Sequence, residues 1–355
     1  MGRVIAIASQ KGGVGKTTTT INLGACLAEG GKKVLIVDVD PQGNASSGLG
    51  INGNDQRFGV YEALIGPIDL KQAIVPTPME GLSIMTSGQR LSGAEVELVG
   101  MMARETRLRG VIGALREAFD FILIDCPPSL GLLTVNALTA ADSVLIPLQC
   151  EYLALEGLTQ LISAIRLVQD HLNSSLRIEG VLLTMFDVRL NLAQQVVDEA
   201  RKFFSDRVYK TVIPRSVRLG EAPSFGKPIV QYDPHSSGAE RYRDLALEVL
   251  GNASVGRAAT TAATTAVAAE KVAAAANAMS PASAENEPSV ASTEAAAAPV
   301  PIHVDADQSS TVISDVYVDQ PEYRDQAEEV GQADSHRPGG SEECIERPSA
   351  EVSKH

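Results

Sequence analysis

The chain is poor in the residues that stabilise small secreted domains. Its 355 residues include no tryptophan, and aromatic residues make up 4% of the total. The four cysteines are widely separated, at Cys26, Cys126, Cys150 and Cys344. Cysteines without paired spacing argue against a disulfide framework and indicate a chain that is kept reduced in the cytoplasm.

The sequence also lacks the features of membrane and zinc proteins. No apolar run approaches the length of a membrane span, and the first predicted strand starts too near Met1 to leave room for a signal peptide. The five histidines are scattered, at His171, His235, His303, His336 and His355. That spacing indicates neither a zinc site nor a Ser-His-Asp triad. We therefore expect a soluble chain without a zinc site.

The last part of the chain differs in composition from the rest. Residues 251–355 carry 17 acidic and 6 basic side chains, so −11 of the total net charge of −14 lies there. Ala, Ser, Thr, Glu, Asp and Pro dominate this part, and Tyr317 and Tyr323 are its aromatic residues. Such a segment buries too little apolar surface to offset the entropy lost on ordering. We predict an α/β domain over residues 1–250 and a disordered, Ala-rich acidic tail over residues 251–355.

Residues 1–250 alternate short β-branched runs with amphipathic stretches of helical period. Strands are predicted at Val4–Ala8, Lys33–Val37, Leu82–Met85, Phe121–Ile124, Val144–Pro147, Ile178–Leu183 and Val208–Ile213. Helices are predicted at Thr17–Glu29, Ser92–Ala118, Leu133–Ala140, Leu155–His171, Leu192–Phe204 and Ala239–Leu250. Apolar strands joined by helices predict a mostly parallel, twisted sheet with helices on both faces. Ligands of such sheets bind at the carboxyl ends of the strands.

A glycine-rich loop follows the first predicted strand and opens the first predicted helix. The loop spans Ser9–Thr18 and reads SQKGGVGKTT. A strand, a glycine loop and a helix in this order indicate a nucleoside triphosphate site of the P-loop NTPase type. Glycines let backbone N–H groups turn toward phosphate oxygens, and the helix N-terminus adds the positive end of its dipole. The residues expected to contact the nucleotide are Lys11, Gly12, Gly13, Val14, Gly15, Lys16, Thr17 and Thr18.

Three side chains of this loop have specific expected tasks. Lys16 contacts the β- and γ-phosphates, Thr17 binds Mg²⁺, and Thr18 contacts the α-phosphate. The general pattern has a glycine six positions before the motif lysine, whereas this chain has Gln10 there and a second lysine, Lys11. Lys11 lies too far round the loop to contact the same phosphates as Lys16.

Two further predicted strands are followed by acidic side chains. One acidic segment is Val37–Asn44 (VDVDPQGN), with Asp38 and Asp40, and the other is Ile122–Ser129 (ILIDCPPS), with Asp125. Phosphoryl transfer to water depends mainly on positioning and on charge neutralisation. Asp125, at the end of an apolar strand, suits the Walker B role of holding Mg²⁺. Asp38 is expected to support the metal or the motif lysine.

The loop, both acidic segments and a late segment, Val212–Ser224 (VIPRSVRLGEAPS), occur in the order found in the ParA/Soj chromosome-partitioning ATPases. Residues 1 to about 250 resemble this family, and the loop resembles its deviant Walker A motif. The resemblance implies that ATP binding drives a sandwich homodimer, that the dimer binds DNA without sequence preference, and that a ParB-type partition protein stimulates hydrolysis and release. Such a cycle segregates a chromosome or a plasmid. It implies a cytoplasmic, nucleoid-associated protein that does not act at a membrane.

The resemblance also assigns roles to single residues. Lys11 matches the lysine that crosses the dimer interface to the partner subunit's phosphates, where a positive group supplied in trans can contribute roughly 10³–10⁵ in rate. Asp40 matches the switch I aspartate, which orients or activates the attacking water. With Lys16, these two are the expected catalytic residues. The metal site is expected to comprise Thr17, Asp40 and Asp125.

Two residues on late strand-end loops, Met185 and Pro214, match positions that hold adenine in the family. No Asn/Thr-Lys-x-Asp element, which reads guanine, follows the phosphate motifs. The expected cofactors are therefore ATP and Mg²⁺, and GTP is not expected.

A cluster of basic residues lies in the second half of the domain. Its members are Arg189, Arg201, Lys202, Arg207, Lys210, Arg215, Arg218 and Lys227. In a domain of slightly acidic net charge, such a cluster fits either a solvated face or a local nucleic-acid site. Arg189 and Arg218 match positions that bind non-specific DNA in the Soj branch of the family, which favours DNA binding.

Two alternative functions of related ATPases have distinct sequence requirements. A membrane-surface positioning ATPase of the MinD kind needs a basic amphipathic C-terminal helix, whereas the residues after Leu250 are acidic and Ala-rich. An iron–sulfur carrier or reductase needs two suitably placed thiolates per subunit at its interface. The cysteine spacing does not indicate such a pair, so Cys126 is expected to be a small apolar residue at a strand end.

Overall fold

The computed structural model describes residues 1–151 and 154–255. Its strands are β1 (Arg3–Ile7), β2 (Val34–Asp38), β3 (Ile74–Pro76), β4 (Leu82–Met85), β5 (Phe121–Asp125), β6 (Ser143–Gln149), β7 (Arg177–Phe186) and β8 (Val208–Pro214). Its helices are α1 (Lys16–Glu29), α2 (Asn44–Gly48), α3 (Val60–Ile65), α4 (Leu91–Val99), α5 (Arg107–Leu115), α6 (Leu132–Ala140), α7 (Ala154–His171), α8 (Asn191–Phe204), α9 (Val217–Glu221), α10 (Ile229–Tyr232) and α11 (Ser237–Val255). Helix α11 continues past the boundary predicted at residue 250, and the predicted tail from residue 256 onward, with Cys344, lies outside the described residues.

The strands form one sheet in the order β3-β4-β2-β5-β1-β6-β7-β8. Strand β3 is antiparallel to β4, and the other neighbouring pairs are parallel. Strands β2, β5 and β6 are buried at every residue, which explains their nearly continuous apolar sequences. The predicted mostly parallel sheet is confirmed. Strand β3 was not predicted, because three residues are too few to show a period.

Helices cover both faces of this sheet. Val4 and Ala6 of β1 belong to one apolar cluster, which also contains side chains of α5, α6, α7 and α8. Ile5 and Ile7 belong to a second cluster, which contains side chains of α1 and α11. Since successive strand residues point to opposite faces, a strand that is apolar at every position serves two cores. None of the helices in the described ranges combines the length and the apolar character needed to cross a membrane.

The prediction of one helix over Ser92–Ala118 is wrong. Two helices, α4 and α5, occupy this range, and Ala103 between them has a positive φ of 55°. Asn136 of α6 stabilises the break, because its Nδ2 donates to the Arg104 carbonyl (2.8 Å) and its Oδ1 accepts from the Leu108 N–H (3.1 Å). The break therefore depends on a tertiary contact, which the period of a single helix does not reveal.

The parallel register brings the predicted site residues to one edge of the sheet. Asp125, the last residue of β5, is paired with Ile7 of β1 on one side and with Asp38 of β2 on the other. The glycine loop leaves β1 at the same edge and leads directly into α1. The acidic strand ends and the loop thus meet at the carboxyl edge of the sheet, where ligands of such folds bind.

Candidate nucleotide-binding site

The glycine loop has the backbone conformation of a phosphate cradle. Gly13 and Gly15 have φ values of 73° and 90°, in the left-handed region that side chains with a Cβ atom rarely adopt. Val14 between them is buried, and its carbonyl accepts a hydrogen bond of 2.8 Å from the Thr184 hydroxyl of β7. This bond fixes the loop to the sheet. The loop therefore holds its shape through contacts with a strand about 170 residues later in the chain.

Lys16 occupies the interior of the loop. Its side chain is buried, and its Nζ donates to the Lys11 carbonyl across the loop (3.3 Å). Burial lowers the pKa of Lys16, while the nearby Asp125, Cys126 and Asp40 oppose that shift. An ammonium in this position is poorly solvated, and phosphate oxygens in the loop would supply the negative charge that water does not.

Asp125 is fully buried behind the loop and has one unused oxygen. Its Oδ1 accepts a hydrogen bond of 2.9 Å from the Thr20 hydroxyl of α1, and the Thr17 hydroxyl also bonds the carboxylate. Its Oδ2 has no hydrogen-bond partner in the described structure. Burial raises the pKa of Asp125, and the hydroxyls of Thr17 and Thr20 oppose that shift. A buried carboxylate oxygen beside a threonine hydroxyl fits a hard, oxygen-seeking cation such as Mg²⁺.

Asp40 lies in the turn that follows β2, close enough to Lys16 and Asp125 to affect both electrostatically. Its Oδ1 accepts a hydrogen bond of 3.0 Å from the Gln42 N–H, and its carbonyl accepts one of 2.6 Å from the Ser87 hydroxyl. The turn is thus held from two sides, and the carboxylate lies at the nucleotide loop. A carboxylate held in this way suits the predicted role of orienting the attacking water, which stays a prediction.

Asp38 anchors the segment after β2 and does not contact Lys16 in the described structure. Its Oδ2 accepts hydrogen bonds from the Ser46 N–H (2.9 Å) and the Ser46 hydroxyl (2.7 Å), and its Oδ1 accepts from the Asp40 N–H (3.3 Å). Burial raises the pKa of Asp38, and the neighbouring Asp125 raises it further. In the described structure Asp38 therefore supports the turn that carries Asp40, and its expected support of the metal or of the motif lysine stays a prediction.

A cavity of about 250 Å³ opens beside the loop. It brings the predicted adenine residues Met185 and Pro214 together with Gly15 and Thr18. Met185, the residue before the last one of β7, has a φ of 51°, which is a strained conformation for a residue with a Cβ atom. The sequence analysis missed Tyr242 of α11, which lines the same cavity and whose hydroxyl lies 3.2 Å from the Thr19 hydroxyl.

Lys11 points away from the interior of its own loop. Its side chain is about one-third exposed (33%), and its Nζ lies 3.4 Å from Oε2 of Glu151, just beyond the end of β6. The two lysines of the motif therefore have opposite orientations, with Lys16 inside the loop and Lys11 at its rim. Glu151 was missed in the sequence analysis because the 140 residues between it and Lys11 contain no local signal of the contact.

The basic cluster of the sequence analysis does not form one surface. Arg189 follows β7 and Arg215 follows β8 at the carboxyl edge of the sheet, and Arg218 lies in α9 just beyond. Arg207 precedes β8, and Lys202 lies in the last turn of α8 shortly before it, so these two lie toward the opposite edge. Seven residues of β8 separate the groups by roughly 20 Å. The interpretation of the eight residues as a single patch is wrong.

Arg189 and Arg218 are both exposed and both paired with carboxylates. The Arg189 guanidinium forms two bonds with Asp187 (2.8 and 2.6 Å), and these hydrogen bonds are the main reason that the pKa of Asp187 is lowered to about 2. Arg218 lies 3.0 Å from Glu221 and 3.6 Å from Asp233. Binding a phosphate at either arginine therefore competes with an existing ion pair.

The cysteines of the described ranges are buried and free: Cys26, Cys126 and Cys150. Burial raises the pKa of Cys26 and of Cys150 to about 12, and that of Cys126 higher still. Thiols that stay protonated are poor ligands for a metal cluster. Cys126 fits the expectation of a small apolar residue at a strand end.

Comparison with known proteins places these features in a family. A family model described as an AAA domain matches residues 2–178. The sporulation initiation inhibitor protein Soj of Bacillus subtilis is 61% identical over 252 residues, which cover 71% of this chain and 100% of Soj. The chromosome partitioning protein ParA of Myxococcus xanthus is 54% identical over 250 residues, which cover 70% of this chain and 88% of that protein.

Solved structures share the fold. The cobyrinic acid a,c-diamide synthase of Mycobacterium smegmatis with bound ADP and magnesium has a TM-score of 0.65 at 37% identity, and the match covers 74% of this chain and 99% of that one. The cell division ATPase MinD of Pyrococcus furiosus has a TM-score of 0.58 at 29% identity, and the match covers 71% of this chain and 100% of that one. The first of these proteins has also been solved with an ATP analogue and magnesium. For the family, these ligands agree with the predicted cofactors, ATP and Mg²⁺. Identity of 61% over the whole of Soj, on a fold with this glycine loop and these acidic strand ends, shows that the chain belongs to the ParA/Soj family of chromosome-partitioning ATPases.

Proposed function

We propose that ATP binding drives a sandwich homodimer in which Lys11 of each subunit contacts the nucleotide of the other. The observation that carries this proposal is the opposite orientation of the two loop lysines. Lys16 Nζ lies inside its own loop, 3.3 Å from a loop carbonyl, whereas Lys11 Nζ faces outward from the rim. A cation at the rim reaches phosphates most directly when a second loop faces it. ATP is then part of the interface and links the two subunits.

Within one subunit, different loop residues bind different phosphates of the triphosphate. The backbone N–H groups of Gly12, Gly13, Val14 and Gly15 surround the phosphates, with Thr18 at the α-phosphate and Lys16 at the β- and γ-phosphates. Thr17 and Asp125 would hold Mg²⁺, with Asp40 at the edge of that site. When bound, the metal neutralises charge on the β- and γ-phosphate oxygens. Met185 and Pro214 enclose the adenine in the adjoining cavity.

The Asp40 carboxylate orients the water that attacks the γ-phosphate. One of its oxygens accepts a bond from the Gln42 N–H, and the other is available for water. The Ser46 and Ser87 contacts hold this turn in place, so that the carboxylate does not have to be ordered during the reaction. Hydrolysis removes the group that joins the two subunits, and the dimer separates.

The partitioning cycle adds DNA and a partner protein to this chemistry. Arg189 and Arg218 contact DNA phosphates without reading sequence, and dimerisation doubles the number of such contacts. A ParB-type partition protein stimulates hydrolysis and so releases DNA. The protein then acts in the cytoplasm, associated with the nucleoid. The exposure of both arginines at one edge of the sheet supports this arrangement.

The test is ATP-dependent dimerisation of wild type and of the variant Lys11→Ala, measured by light scattering with ATP, with ADP and without nucleotide. We expect wild type to dimerise with ATP alone and Lys11→Ala to stay monomeric while still binding ATP. Lys33→Ala, which removes an exposed lysine at the amino end of β2, is the matched control and should behave as wild type. Dimerisation of Lys11→Ala at the wild-type ATP concentration would refute the trans role.

A second assay separates DNA from membranes as the ATP-dependent partner. The same samples are titrated with non-specific duplex DNA and with vesicles containing anionic lipid. We expect DNA binding that requires ATP and no vesicle binding. Vesicle binding without DNA binding would favour the membrane-surface alternative.

A further inference from the structure

Glu151 lies between two cations at the carboxyl edge of the sheet. Its Oε2 is 3.4 Å from Nζ of Lys11, and its Oε1 is 3.5 Å from Nη2 of Arg215. The two oxygens of one carboxylate therefore serve the rim lysine of the nucleotide loop and an arginine that follows β8. All three side chains are partly exposed, so these contacts can break without unfolding.

The Glu151 carboxylate is held in this position. Gln149 at the end of β6 donates from Nε2 to Oε1 of Glu151 (2.6 Å), and its carbonyl accepts from the Glu151 N–H (2.8 Å). Gly157 of α7 lies against the loop on the same side, where a Cβ atom would be 3.9 Å from the Lys11 nitrogen. The Lys11 backbone thus lies against α7, and its side chain is paired with a carboxylate that Gln149 helps to hold.

The alternation of charge continues along this edge toward the proposed DNA contacts. The Arg215 N–H donates to the Phe186 carbonyl (3.0 Å), which places Arg215 beside Asp187. Asp187 in turn binds Arg189. Lys11, Glu151, Arg215, Asp187 and Arg189 form a row of alternating sign, which we call the charge row.

We propose that Glu151 is a positioning residue that retains Lys11 on its own subunit when no nucleotide is bound, and that it competes with the partner subunit's phosphates for the Lys11 ammonium. This inference rests on the proposed trans role of Lys11. In the ATP-bound dimer, the triphosphate carries more negative charge than one carboxylate. The Lys11 ammonium therefore leaves Glu151 and binds the phosphates held by the partner subunit. At low ATP, Glu151 keeps the ammonium away from the interface and opposes dimers that lack a nucleotide.

The expected size of the effect follows from the exposure of the pair. Ion pairs exposed to solvent change equilibria by about twofold to fivefold, and salt weakens them. The variant Glu151→Gln keeps the shape of the side chain and removes its charge. It should therefore lower the ATP concentration needed for dimerisation by about twofold to fivefold. Moderate salt should lower the ATP concentration that wild type needs for dimerisation toward that of Glu151→Gln. It should leave the ATP concentration that the variant needs nearly unchanged.

The first experiment tests the cis contact without dimerisation. Nucleotide-free protein is treated briefly with an amine-acetylating reagent, and modification of Lys11 is measured by peptide mass spectrometry. We expect faster modification of Lys11 in Glu151→Gln than in wild type. The control is Glu199→Gln, which makes the same charge change at an exposed pair with Lys202 on α8 (2.6 Å) and should not affect Lys11. Equal rates in Glu151→Gln and wild type would overturn the proposal.

The second experiment measures ATP-dependent dimerisation of wild type, Glu151→Gln, Glu199→Gln and Lys11→Ala. Dimerisation of Glu151→Gln at lower ATP, with Lys11→Ala monomeric, supports the proposal. Dimerisation of Glu151→Gln that needs as much ATP as wild type, or more, would overturn it, because Glu151 would then not oppose the dimer. Wild-type behaviour of Lys11→Ala would instead refute the trans role itself, while the acetylation result would still report on the cis pair.

Discussion

Three aspartates at the carboxyl edge of the sheet, Asp38, Asp40 and Asp125, differ in their hydrogen bonds, and these differences suit different tasks. Asp125 has a buried oxygen without a hydrogen-bond partner in the described structure, as its proposed role in holding Mg²⁺ requires. Asp38 has both oxygens occupied by Ser46 and by the Asp40 N–H. Asp40 has a backbone donor on one oxygen, and orienting the attacking water is its proposed task. Sequence spacing alone does not distinguish these roles, because all three residues follow apolar strands.

Replacing Asp40 by alanine should abolish turnover and preserve ATP binding. Lys16, Thr17 and the glycine loop hold the nucleotide, so ATP affinity and dimerisation should be retained, while hydrolysis should fall by roughly 10²–10⁴-fold. The measurement is phosphate release together with dimer fraction, and an ATP-bound dimer should accumulate. The exposed Asp55→Ala serves as control. Hydrolysis at the wild-type rate, or loss of the ATP dimer, would contradict the role of Asp40.

Asp38→Asn should change how stability depends on pH. Because burial raises the pKa of Asp38, the folded state binds its proton more tightly than the unfolded chain, and the free energy of unfolding falls as the pH rises above about 4. The fall continues until the raised pKa is passed. Asn lacks this titration, so the variant should lose less stability than wild type between about pH 5.5 and about pH 8.5.

The measurement is thermal unfolding of nucleotide-free protein in a magnesium-free buffer at both pH values. Asp55→Asn, at an exposed position, is the matched control and should follow wild type. If the stability of Asp38→Asn depended on pH as that of wild type does, the prediction would be contradicted. Ionisation of Asp38 would then not lower the free energy of unfolding.

At the scale of secondary structure, strand β8 determines which basic residues can act together. Arg215 and Arg218 follow its carboxyl end and lie with Arg189, whereas Arg207 precedes its amino end. A list of basic residues close in sequence contains both groups. Similarly, Asn136 divides a stretch of helical period into α4 and α5 through contacts that cross between helices. In both cases the strand or helix character of the segment could be predicted, and the arrangement that tertiary structure gives it could not.

Arg189→Ala and Arg218→Ala should each weaken binding to all DNA sequences by similar factors. Each lost phosphate contact should also reduce the slope of log affinity against log salt by about 0.9. ATP-driven dimerisation should persist. Lys202→Ala, which lies toward the other end of β8, is the control and should have nearly the DNA affinity and salt dependence of wild type. DNA binding is measured by fluorescence anisotropy with ATP at several salt concentrations.

If Arg189→Ala or Arg218→Ala changes ATP affinity and leaves DNA binding intact, these arginines belong to the nucleotide site or to folding. If Lys202→Ala weakens DNA binding as strongly as Arg218→Ala, the surface that binds DNA extends to the other edge of the sheet. Either result would contradict the assignment of the carboxyl edge as the DNA surface.

At the scale of the whole molecule, the acidic excess is concentrated in the last part of the chain. The alignment covers all of Soj, whereas 71% of this chain is matched, and most of the acidic excess lies after residue 250. A chain segment with a net charge of −11 is not a DNA-binding arm. Its composition predicts a flexible segment. We therefore expect its carboxylates to compete with DNA phosphates for Arg189 and Arg218, at an effective concentration set by the length of the segment.

Truncation after Val255 tests this competition and leaves α11 whole. We expect the truncated protein to bind DNA more tightly than the full chain in the presence of ATP, most clearly at low salt, where screening is weakest. The measurement is a DNA titration of both forms at low and moderate salt. Equal affinities at low salt would exclude competition and leave a solubilising extension as the role of these residues.

The sequence by itself determined the nucleotide loop, the acidic strand ends, the parallel sheet and the family. These features are local, because a strand, a glycine turn and a helix start are each encoded by consecutive residues whose backbone preferences agree. The tertiary structure alone decided that Glu151 meets Lys11, that Asp38 binds Ser46, and that β8 divides the basic cluster. Glu151 and Lys11 are 140 positions apart, and strand order and register bring them to one edge of the sheet without any local pattern that marks them. Asp38 and Ser46 are only eight positions apart, but their bond depends on the path of the turn after β2, and the division of the basic cluster depends on the direction of β8.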